Sequence, residues 1–398
     1  MNFKKEYYVL WIGQGISRLG SWIYLIALNL AVWHLTESPA MVAGLYMIGP
    51  IARICASFIV GTIVDRSNKR TILIMSDFFR GVIVCIMPFA GSIWLIFSLV
   101  FVANFIASFA QPSSTFMITK LVTEQHRQRF NAINSILSSG SFMIGPALGG
   151  VIIALTNTSV AMWVNGTALF TSALMMLFLP NITERVTDRR NMITPAVIRY
   201  DFHLVWQTMK QRRALLQFFM LYSCTLMIAH ALDSQEMSFL KDFHQVSDSA
   251  YGVIVGVTGI GAIVGGIAAA SFVLKLTLST YIGAGLSFTL LCYTIFYASS
   301  NLVIGIIAFI LLGFFMAFSN TGYATVFQRS VPTDIMGRFT SSLALFEGVL
   351  QITLTLLIGL SAQWFSIQLA TTVFATIALL LACVLYRFIL VHRKLTEA

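Results

Sequence analysis

Charged residues are scarce in this sequence. Asp, Glu, Lys and Arg together make up 10% of its 398 residues, whereas 58% are hydrophobic. A soluble protein carries about a quarter charged residues, and polar groups could not cover the surface of a water-soluble fold of this composition. The composition therefore excludes a soluble globular protein and indicates a chain that crosses a lipid bilayer several times.

Residues that bind metals or perform redox chemistry are also few and scattered. All five cysteines lie inside apolar runs, and no two of them have the spacing of a metal site or a redox motif. The turns between the runs carry no His/Asp-rich catalytic box and no phosphate-binding loop. We therefore expect neither a metal nor a cofactor, and we expect that the protein is not an enzyme.

Apolar runs make up most of the chain. A helix needs about 20 apolar residues to cross the hydrocarbon core, and about twelve runs meet that length. They cover roughly residues 8–33, 41–63, 71–90, 93–119, 130–155, 159–180, 214–236, 250–272, 279–298, 302–327, 339–360 and 367–389. We predict an all-α integral membrane fold with twelve transmembrane helices in two six-helix halves, 1–180 and 214–398, joined by a polar linker at 181–213.

The placement of the cations predicts the orientation of the chain. The formal net charge is +10, and the Lys and Arg residues concentrate in alternate turns and in the linker. The opposite set of turns contains only Lys241. The positive-inside rule then places both termini and the linker in the cytoplasm. We expect a multi-pass protein of a bacterial cell membrane, and a topology signal explains the positive charge better than nucleic-acid binding does.

A repeat across the linker supports two related halves. Residues Val122–Phe130 read VTEQHRQRF and residues Val331–Phe339 read VPTDIMGRF. Both segments follow the fourth helix of their half and open the fifth. Their equivalent positions indicate duplication, and two parallel repeats around a substrate path are typical of secondary transporters.

A short basic turn at residues 61–70, GTIVDRSNKR, resembles the loop signature of the major facilitator superfamily. The resemblance implies that an aspartate in this turn engages the start of a helix in the other half, where free amides and the helix dipole favour a carboxylate. The turn would then act as a conformational latch on the inner side. The implied latch residues are Gly61, Asp65, Arg66, Arg70 and Arg338.

Asn68 departs from the family pattern, which usually has glycine there. Asparagine is the best non-glycine residue for a left-handed turn, so the departure from the family pattern is mild. The alternative for the whole stretch is that its cations serve only as topology signals.

The fifth run carries Gly145, Pro146, Gly149 and Gly150 in a stretch that reads GPALGG. It resembles the signature of the antiporter branch of the same superfamily, which efflux pumps carry. Proline bends the helix, and the glycines provide a flat face for close helix packing. Because the eighth run is also glycine-rich between 252 and 266, we expect the fifth and eighth helices to pack together. The alternative is a Pro-kinked packing helix without a role in antiport.

Two further stretches, Trp11–Gly20 and Ser76–Arg80, are similar to the macrolide-efflux-like group of drug exporters. This resemblance implies a secondary active transporter that exports amphipathic drug-like or lipid-like compounds by proton antiport through alternating access. A proton-coupled importer of a small nutrient on the same fold is the alternative. The expected partners are a small amphipathic substrate, protons and the lipid bilayer, with the protein acting as a monomer.

Ionisable residues inside the runs are the candidates for proton coupling, since charges at membrane depth are costly and usually functional or paired. We predict that Glu347 pairs with Arg18 or Arg53, which lie at a similar depth, and that protonation of Glu347 weakens the pair. A permanent structural salt bridge is the alternative. Asp233 and Glu236, three residues apart on one helix face, form the rival proton site, unless they lie solvated in an outer vestibule.

Asp77 and Arg80 lie one helical turn apart, so we expect them to form a structural pair near the inner surface. For the substrate path, the resemblance implies a cavity lined by the first, fourth and tenth helices, with packing as the alternative role at each position. The candidates that line it are Trp22, Tyr24, Asn29, Asn104, Gln111 and Asn320.

Overall fold

A computed structural model describes residues 4–182, 210, 212–271, 276–331 and 336–392 of the chain. Within these ranges, the side chains of some helical residues are not described. They include those of Gly61, Asp65, Arg66 and Arg338, so the predicted latch lies outside the described side chains, with the exception of Arg70.

Long helices account for nearly all of the described residues, which contain no β-strand. Six helices precede the linker. They are α1 (Lys5–Thr36), α2 (Pro39–Arg66), α3 (Lys69–Ile86), α4 (Ile93–Leu121), α5 (Glu124–Leu155) and α6 (Thr158–Met176). A short 3-10 turn, Met87–Phe89, extends α3.

Six more long helices follow the linker in the described part of the chain. They are α7 (Arg213–Ser238), α8 (Asp248–Ser271), α9 (Gly285–Ala298), α10 (Leu302–Ser330), α11 (Met336–Trp364) and α12 (Ile367–Val391). One π-helical turn, Phe239–Phe243, extends α7, and another, Thr280–Ala284, leads into α9. Each helix coincides with one of the apolar runs predicted from the sequence.

Most of these helices have the length and composition of a membrane span. Eleven of them are long and apolar enough to cross a bilayer, and α5 carries a shorter apolar stretch, Gly140–Leu155. The first two turns of α5 are instead rich in charged and amide residues. The prediction of an all-α fold built from membrane-length helices is therefore confirmed.

Polar side chains mark several helix starts. Asn157, Asn301 and Ser366 precede α6, α10 and α12, and each accepts a hydrogen bond from a backbone amide of the first turn, as N-cap residues do. Asn68 caps α3 in the same way, accepting from the amides of Arg70 and Thr71 at 3.0 and 3.4 Å. Its φ of −69° is ordinary extended backbone, so this position does not use the left-handed conformation. The capping oxygen, rather than tolerance of positive φ, explains asparagine at this position.

The chain folds into two compact units. Unit 1 comprises Met1–Glu37, Ile48–Thr194 and Asp248–Gly256. Unit 2 comprises Ser38–Met47, Pro195–Ser247 and Val257–Ala398. The predicted division into halves at 181–213 stays a prediction, since most of that stretch lies outside the described residues.

Equivalent aromatic contacts occur in the two units. In unit 1, Phe130 near the start of α5 stacks on Trp11 of α1, with ring centroids 5.0 Å apart. In unit 2, Phe339 near the start of α11 packs against Phe219 of α7, again at 5.0 Å. Phe130 and Phe339 end the two repeat segments, and they are 1% and 2% exposed. The repeat in sequence therefore corresponds to a repeat in packing.

Candidate functional site

A polar cavity of about 330 Å³ lies inside unit 1, bordered by α1, α3, α4, α5 and α6. Its polar lining combines cations, one carboxylate, amides and hydroxyls, which is unusual inside a bundle of apolar helices. The side chains of Gln111 and Thr115 are exposed, so the cavity is open rather than enclosed. The lining residues are Gln14, Ser17, Arg18, Leu73, Asp77, Arg80, Ala110, Gln111, Ser114, Thr115, Ile118, Asn134, Ser172 and Met176.

Arg18 projects into this cavity from α1. Its guanidinium donates to the side-chain oxygen of Asn134 at 2.9 Å and to the Asn134 carbonyl at 3.3 Å. It also donates to Oε1 of Gln14 at 3.3 Å, and the Gln14 amide nitrogen in turn donates to Ser114 Oγ at 2.7 Å. A hydrogen-bonded chain from α5 through α1 to α4 therefore fixes the guanidinium.

Asp77 and Arg80 face the same cavity from α3. Their side chains form an ion pair at 3.4 Å, which confirms the predicted pairing. Asp77 also accepts a hydrogen bond of 2.6 Å from Ser172 Oγ on α6. The Asp77 and Arg80 side chains are 12% and 22% exposed, so the carboxylate is held firmly while the arginine keeps some access to the cavity.

Small residues let α1 and α3 approach α6 closely enough to bring these groups together. A Cβ on Gly20 would lie 2.7 Å from the Asn165 side chain and 3.3 Å from its Cα. A Cβ on Gly81 would lie 2.8 Å from the ring of Phe170. Close helix packing through small residues is the usual basis of helix association in membranes.

Glu347 lies on α11 in unit 2. Its carboxylate accepts a hydrogen bond of 2.6 Å from Ser223 Oγ on α7. The neighbouring Tyr222 donates to or accepts from Ser319 Oγ at 3.2 Å and stacks on Tyr323 with centroids 4.2 Å apart. The predicted pairing of Glu347 with an arginine of the first half stays a prediction.

A second carboxylate cluster lies towards the end of α7. Asp233 accepts a hydrogen bond from the Tyr293 hydroxyl of α9, and its other oxygen lies 3.4 Å from Nδ1 of His230. His230 and Asp233 therefore lie on one face of α7. In the described part of unit 2, Oε1 of Glu236 is buried without a hydrogen-bond partner. A buried polar atom without a hydrogen-bond partner is costly, which makes Glu236 an unusual residue in a membrane-length helix.

The glycines of the α5 motif make close contacts within unit 1, and a Cβ on Gly145 would collide with Cβ of Trp22. A Cβ on Gly149 would lie 3.3 Å from the backbone of Ile23, so this position lets α1 approach. A Cβ on Gly150 would lie 2.6 Å from Cα of Gly252, at the start of α8. The expected packing of the fifth helix against the eighth is thus confirmed for Gly150 and Gly252, while the role in antiport stays a prediction.

Comparison with known proteins identifies the family. Residues 10–353 match the sequence profile described as Major Facilitator Superfamily. The chain belongs to the Major Facilitator Superfamily. The predicted resemblance is confirmed, and as a member of this superfamily the protein is a secondary transporter with the major facilitator fold.

Relatives within the superfamily are distant in sequence. An uncharacterised MFS-type transporter of Bacillus subtilis (strain 168), YfiS, is 24% identical over 405 residues, covering 99% of this chain and 95% of YfiS. Macrolide efflux protein A of Streptococcus pyogenes is 22% identical over 192 residues, covering 46% of this chain and 47% of that protein. A crystal structure of the nucleoside transporter NupG covers 97% of this chain and 99% of its own, with a TM-score of 0.73 and 14% identity. The last comparison supports the major facilitator fold alone.

The substrate-path candidates chosen by resemblance to the superfamily lie in different surroundings. Gln111 lines the polar cavity, whereas the other five do not. Asn104 donates to the Val100 carbonyl of its own helix at 2.9 Å, and the Tyr24 hydroxyl donates to Met87 Sδ at 3.2 Å. Trp22 packs edge-on against Phe142. Asn29 is buried and Asn320 is exposed.

Arg70 and Arg53 have positions that sequence reasoning did not foresee. The Arg70 guanidinium donates to the carbonyls of Met176, at 3.4 Å, and Leu177, at the end of α6. Arg53 is exposed on α2. The structure thus gives Arg70 a capping role within unit 1, whereas the latch stays a prediction.

Sequence reasoning missed the three cavity residues that accept or donate hydrogen bonds between helices, namely Ser114, Asn134 and Ser172. Hydroxyls are common in membrane helices, and many here donate to a carbonyl one turn earlier in the same helix, as Ser113 does to Phe109 at 2.8 Å. A serine in the sequence therefore gives no sign of whether its partner lies on another helix. The resemblance to macrolide-efflux-like exporters is a signal that pointed here, since Gln14, Arg18, Asp77 and Arg80 all come from its two stretches.

Proposed function

We propose that this secondary transporter exports amphipathic drug-like or lipid-like compounds in exchange for protons, by alternating access. The observation that carries the proposal is the unit 1 cavity, which joins Arg18, Asp77 and Arg80 to an apolar lining that includes Leu73, Ile118 and Met176. A cavity of about 330 Å³ falls in the range of small-molecule sites. Similarity to macrolide efflux protein A supports export.

Proton coupling is assigned to carboxylates inside the spans. Glu347 is held by Ser223, Asp233 by Tyr293 and His230, and Glu236 has a buried oxygen without a partner in the described residues. Ionisable groups at membrane depth mark proton pathways in pumps and transporters. On this proposal, Arg53 acts as the cationic counterpart that responds to the protonation state of Glu347.

The linker and both termini lie in the cytoplasm on this proposal, and the protein works as a monomer in a bacterial cell membrane. Conformational exchange uses the latch at Gly61, Asp65, Arg66, Arg70 and Arg338. The antiporter motif at Gly145–Gly150 forms part of the helix contacts that change when the transporter passes from one conformation to the other.

The direction of transport is tested in inside-out membrane vesicles whose lumen is loaded at acid pH. Ethidium serves as the amphipathic probe. Export by proton antiport predicts that ethidium accumulates when the lumen is acidic and that it leaves when the gradient is collapsed. Vesicles without the protein serve as the control. Uptake of a nucleoside into right-side-out vesicles, with no ethidium accumulation in either orientation, would favour the importer instead.

The coupling carboxylate is tested with Glu347→Gln, Asp233→Asn and Glu236→Gln, using Asp242→Asn as a matched control because Asp242 is exposed. The coupling variant should lose gradient-driven accumulation but keep exchange of labelled for unlabelled ethidium, since exchange needs no net proton movement. If all three variants still respond to a pH gradient as the wild type does, proton coupling through these residues is wrong.

A further inference from the structure

The charges that line the unit 1 cavity do not balance. Its lining contains two arginines, Arg18 and Arg80, but only one carboxylate, Asp77. Asp77 already forms an ion pair with Arg80 at 3.4 Å and accepts a hydrogen bond from Ser172 at 2.6 Å. The lining therefore carries one surplus positive charge within segments of membrane length, where an uncompensated charge is costly.

Arg18 is the residue that carries the surplus. Its partners are the oxygens of Asn134 and Gln14, which are neutral. Within the described residues of unit 1, Arg18 forms no ion pair with a carboxylate. Neutral amides satisfy some of the five guanidinium N–H groups, but they leave the charge itself uncompensated.

The surroundings hold Arg18 in place rather than neutralise it. Because Gln14 donates to Ser114 at 2.7 Å through its nitrogen, its oxygen is turned towards the guanidinium. The side-chain oxygen of Asn134 is likewise turned to Arg18 at 2.9 Å, which leaves its amide N–H groups as further donors. A fixed cation beside hydrogen-bond donors is complementary to an anionic acceptor, and such charge-assisted hydrogen bonds are the strong ones.

We propose that the unit 1 cavity binds the acidic group of an amphipathic substrate, a carboxylate or phosphate, through Arg18. The apolar side chains of Leu73, Ile118 and Met176 receive the neighbouring hydrophobic part. This inference rests on the proposed function and narrows its substrate class from amphipathic compounds in general to those with an anionic group.

The test is equilibrium binding to the purified full-length protein, with N-dansylglycine and its methyl ester as the two probes. They share the same apolar body and differ only in the ionised carboxylate. Wild-type protein should bind N-dansylglycine more tightly. Arg18→Gln should weaken its binding by at least about tenfold, the effect of about 1.4 kcal/mol, while binding of the ester changes by less than about twofold.

Two further variants control the interpretation. Arg329→Gln makes the same substitution at an exposed site in unit 2, and it should leave the carboxylate preference unchanged. Arg18→Lys keeps a point charge and should keep part of the preference even if Arg18→Gln folds poorly. Equal binding of both probes to the wild type, binding of neither, or a preference that survives Arg18→Gln would overturn the proposal.

The source of the acidic group is distinguished by competition. If phosphatidylglycerol displaces N-dansylglycine and phosphatidylcholine does not, the subsite is assigned to a lipid headgroup. If neither lipid displaces the probe, the subsite is assigned to a soluble acid. Because binding needs no transport, ethidium export without a carboxylate preference would overturn this inference alone. A carboxylate preference without proton-driven export of either ethidium or N-dansylglycine would overturn the proposed function alone.

Discussion

Gly150 of α5 and Gly252 of α8 pack backbone against backbone within unit 1. A Cβ on Gly150 would lie 2.6 Å from Cα of Gly252, and real Cβ atoms essentially never come within 3.0 Å of another heavy atom. One turn further along α8, a Cβ on Gly256 would lie 2.5 Å from the Cβ of Ala147. The contact is made by backbone atoms, which cannot swing aside as the end of a side chain can.

Gly252→Ala should therefore destabilise the protein. The added methyl group has to displace backbone, and overpacking of this kind costs about 1–3 kcal/mol. Thermal unfolding of the purified variant should show a lower Tm than that of the wild type. The control is Gly266→Ala on the same helix, since no described atom lies within 4 Å of a Cβ there. An unchanged Tm for Gly252→Ala would contradict the packing described here.

Ser172→Ala should also lower the Tm. Ser172 is 1% exposed, and its hydroxyl is the partner that holds the Asp77 carboxylate from α6. A hydrogen bond to a charged group contributes about 1.5–3 kcal/mol. Ser21→Ala is the matched control, because Ser21 Oγ donates at 2.8 Å to the Ser17 carbonyl within its own helix. Equal Tm values for the two variants would show that the bond to Asp77 is not stabilising.

The helices and the repeated segment could be recognised in the sequence because both depend on local pattern. Apolar runs of membrane length have only a helix available to satisfy their backbone groups in lipid. The segments at Val122 and Val331 share a spacing that duplication explains, and Phe130 and Phe339 then occupy equivalent aromatic contacts. None of these inferences requires knowledge of which helix faces meet.

The cavity could not be predicted in the same way, as Asn104 and Asn134 illustrate. Both amides lie in membrane-length helices and need partners. Asn104 finds its partner in its own helix, the Val100 carbonyl at 2.9 Å, whereas Asn134 reaches across to Arg18 at the same distance. Local sequence does not distinguish the two cases, since the choice depends on how α1 and α5 are rotated against each other.

Arg70→Gln should destabilise unit 1 if Arg70 caps α6 as the structure shows. The guanidinium donates to carbonyls at the helix end, where a cation also interacts favourably with the helix dipole. We expect a loss of about 1 kcal/mol, seen as a lower Tm, with Arg329→Gln as the control because Arg329 is exposed. A variant that transports poorly but melts like the wild type would favour the latch role over the cap.

His244 should make the stability of the protein fall at acid pH. It follows the π-helical turn after α7, outside the span Arg213–Phe243, and packs edge-on against Phe239 and Phe243 with centroids 5.1 and 4.9 Å apart. Burial lowers the pKa of His244, and a hydrogen bond with the Ser299 backbone offsets part of this effect. The folded state therefore favours the neutral imidazole, while the unfolded chain takes up a proton below about pH 6.5.

Because the unfolded state binds more protons in that range, stability is retained above about pH 6.5 and lost as the pH falls below it. The Tm of the wild type should drop between pH 7.5 and 5.5, and His244→Phe should show a smaller drop because it keeps the aromatic contacts without a titrating group. His392→Phe, at an exposed position after α12, is the control. The three proteins are compared by their fall in Tm between the two pH values, rather than by single Tm values. Because all three share the same carboxylates, the contribution of the carboxylates to the fall cancels. If His244→Phe loses as much stability as the wild type, the imidazole is not the group that titrates.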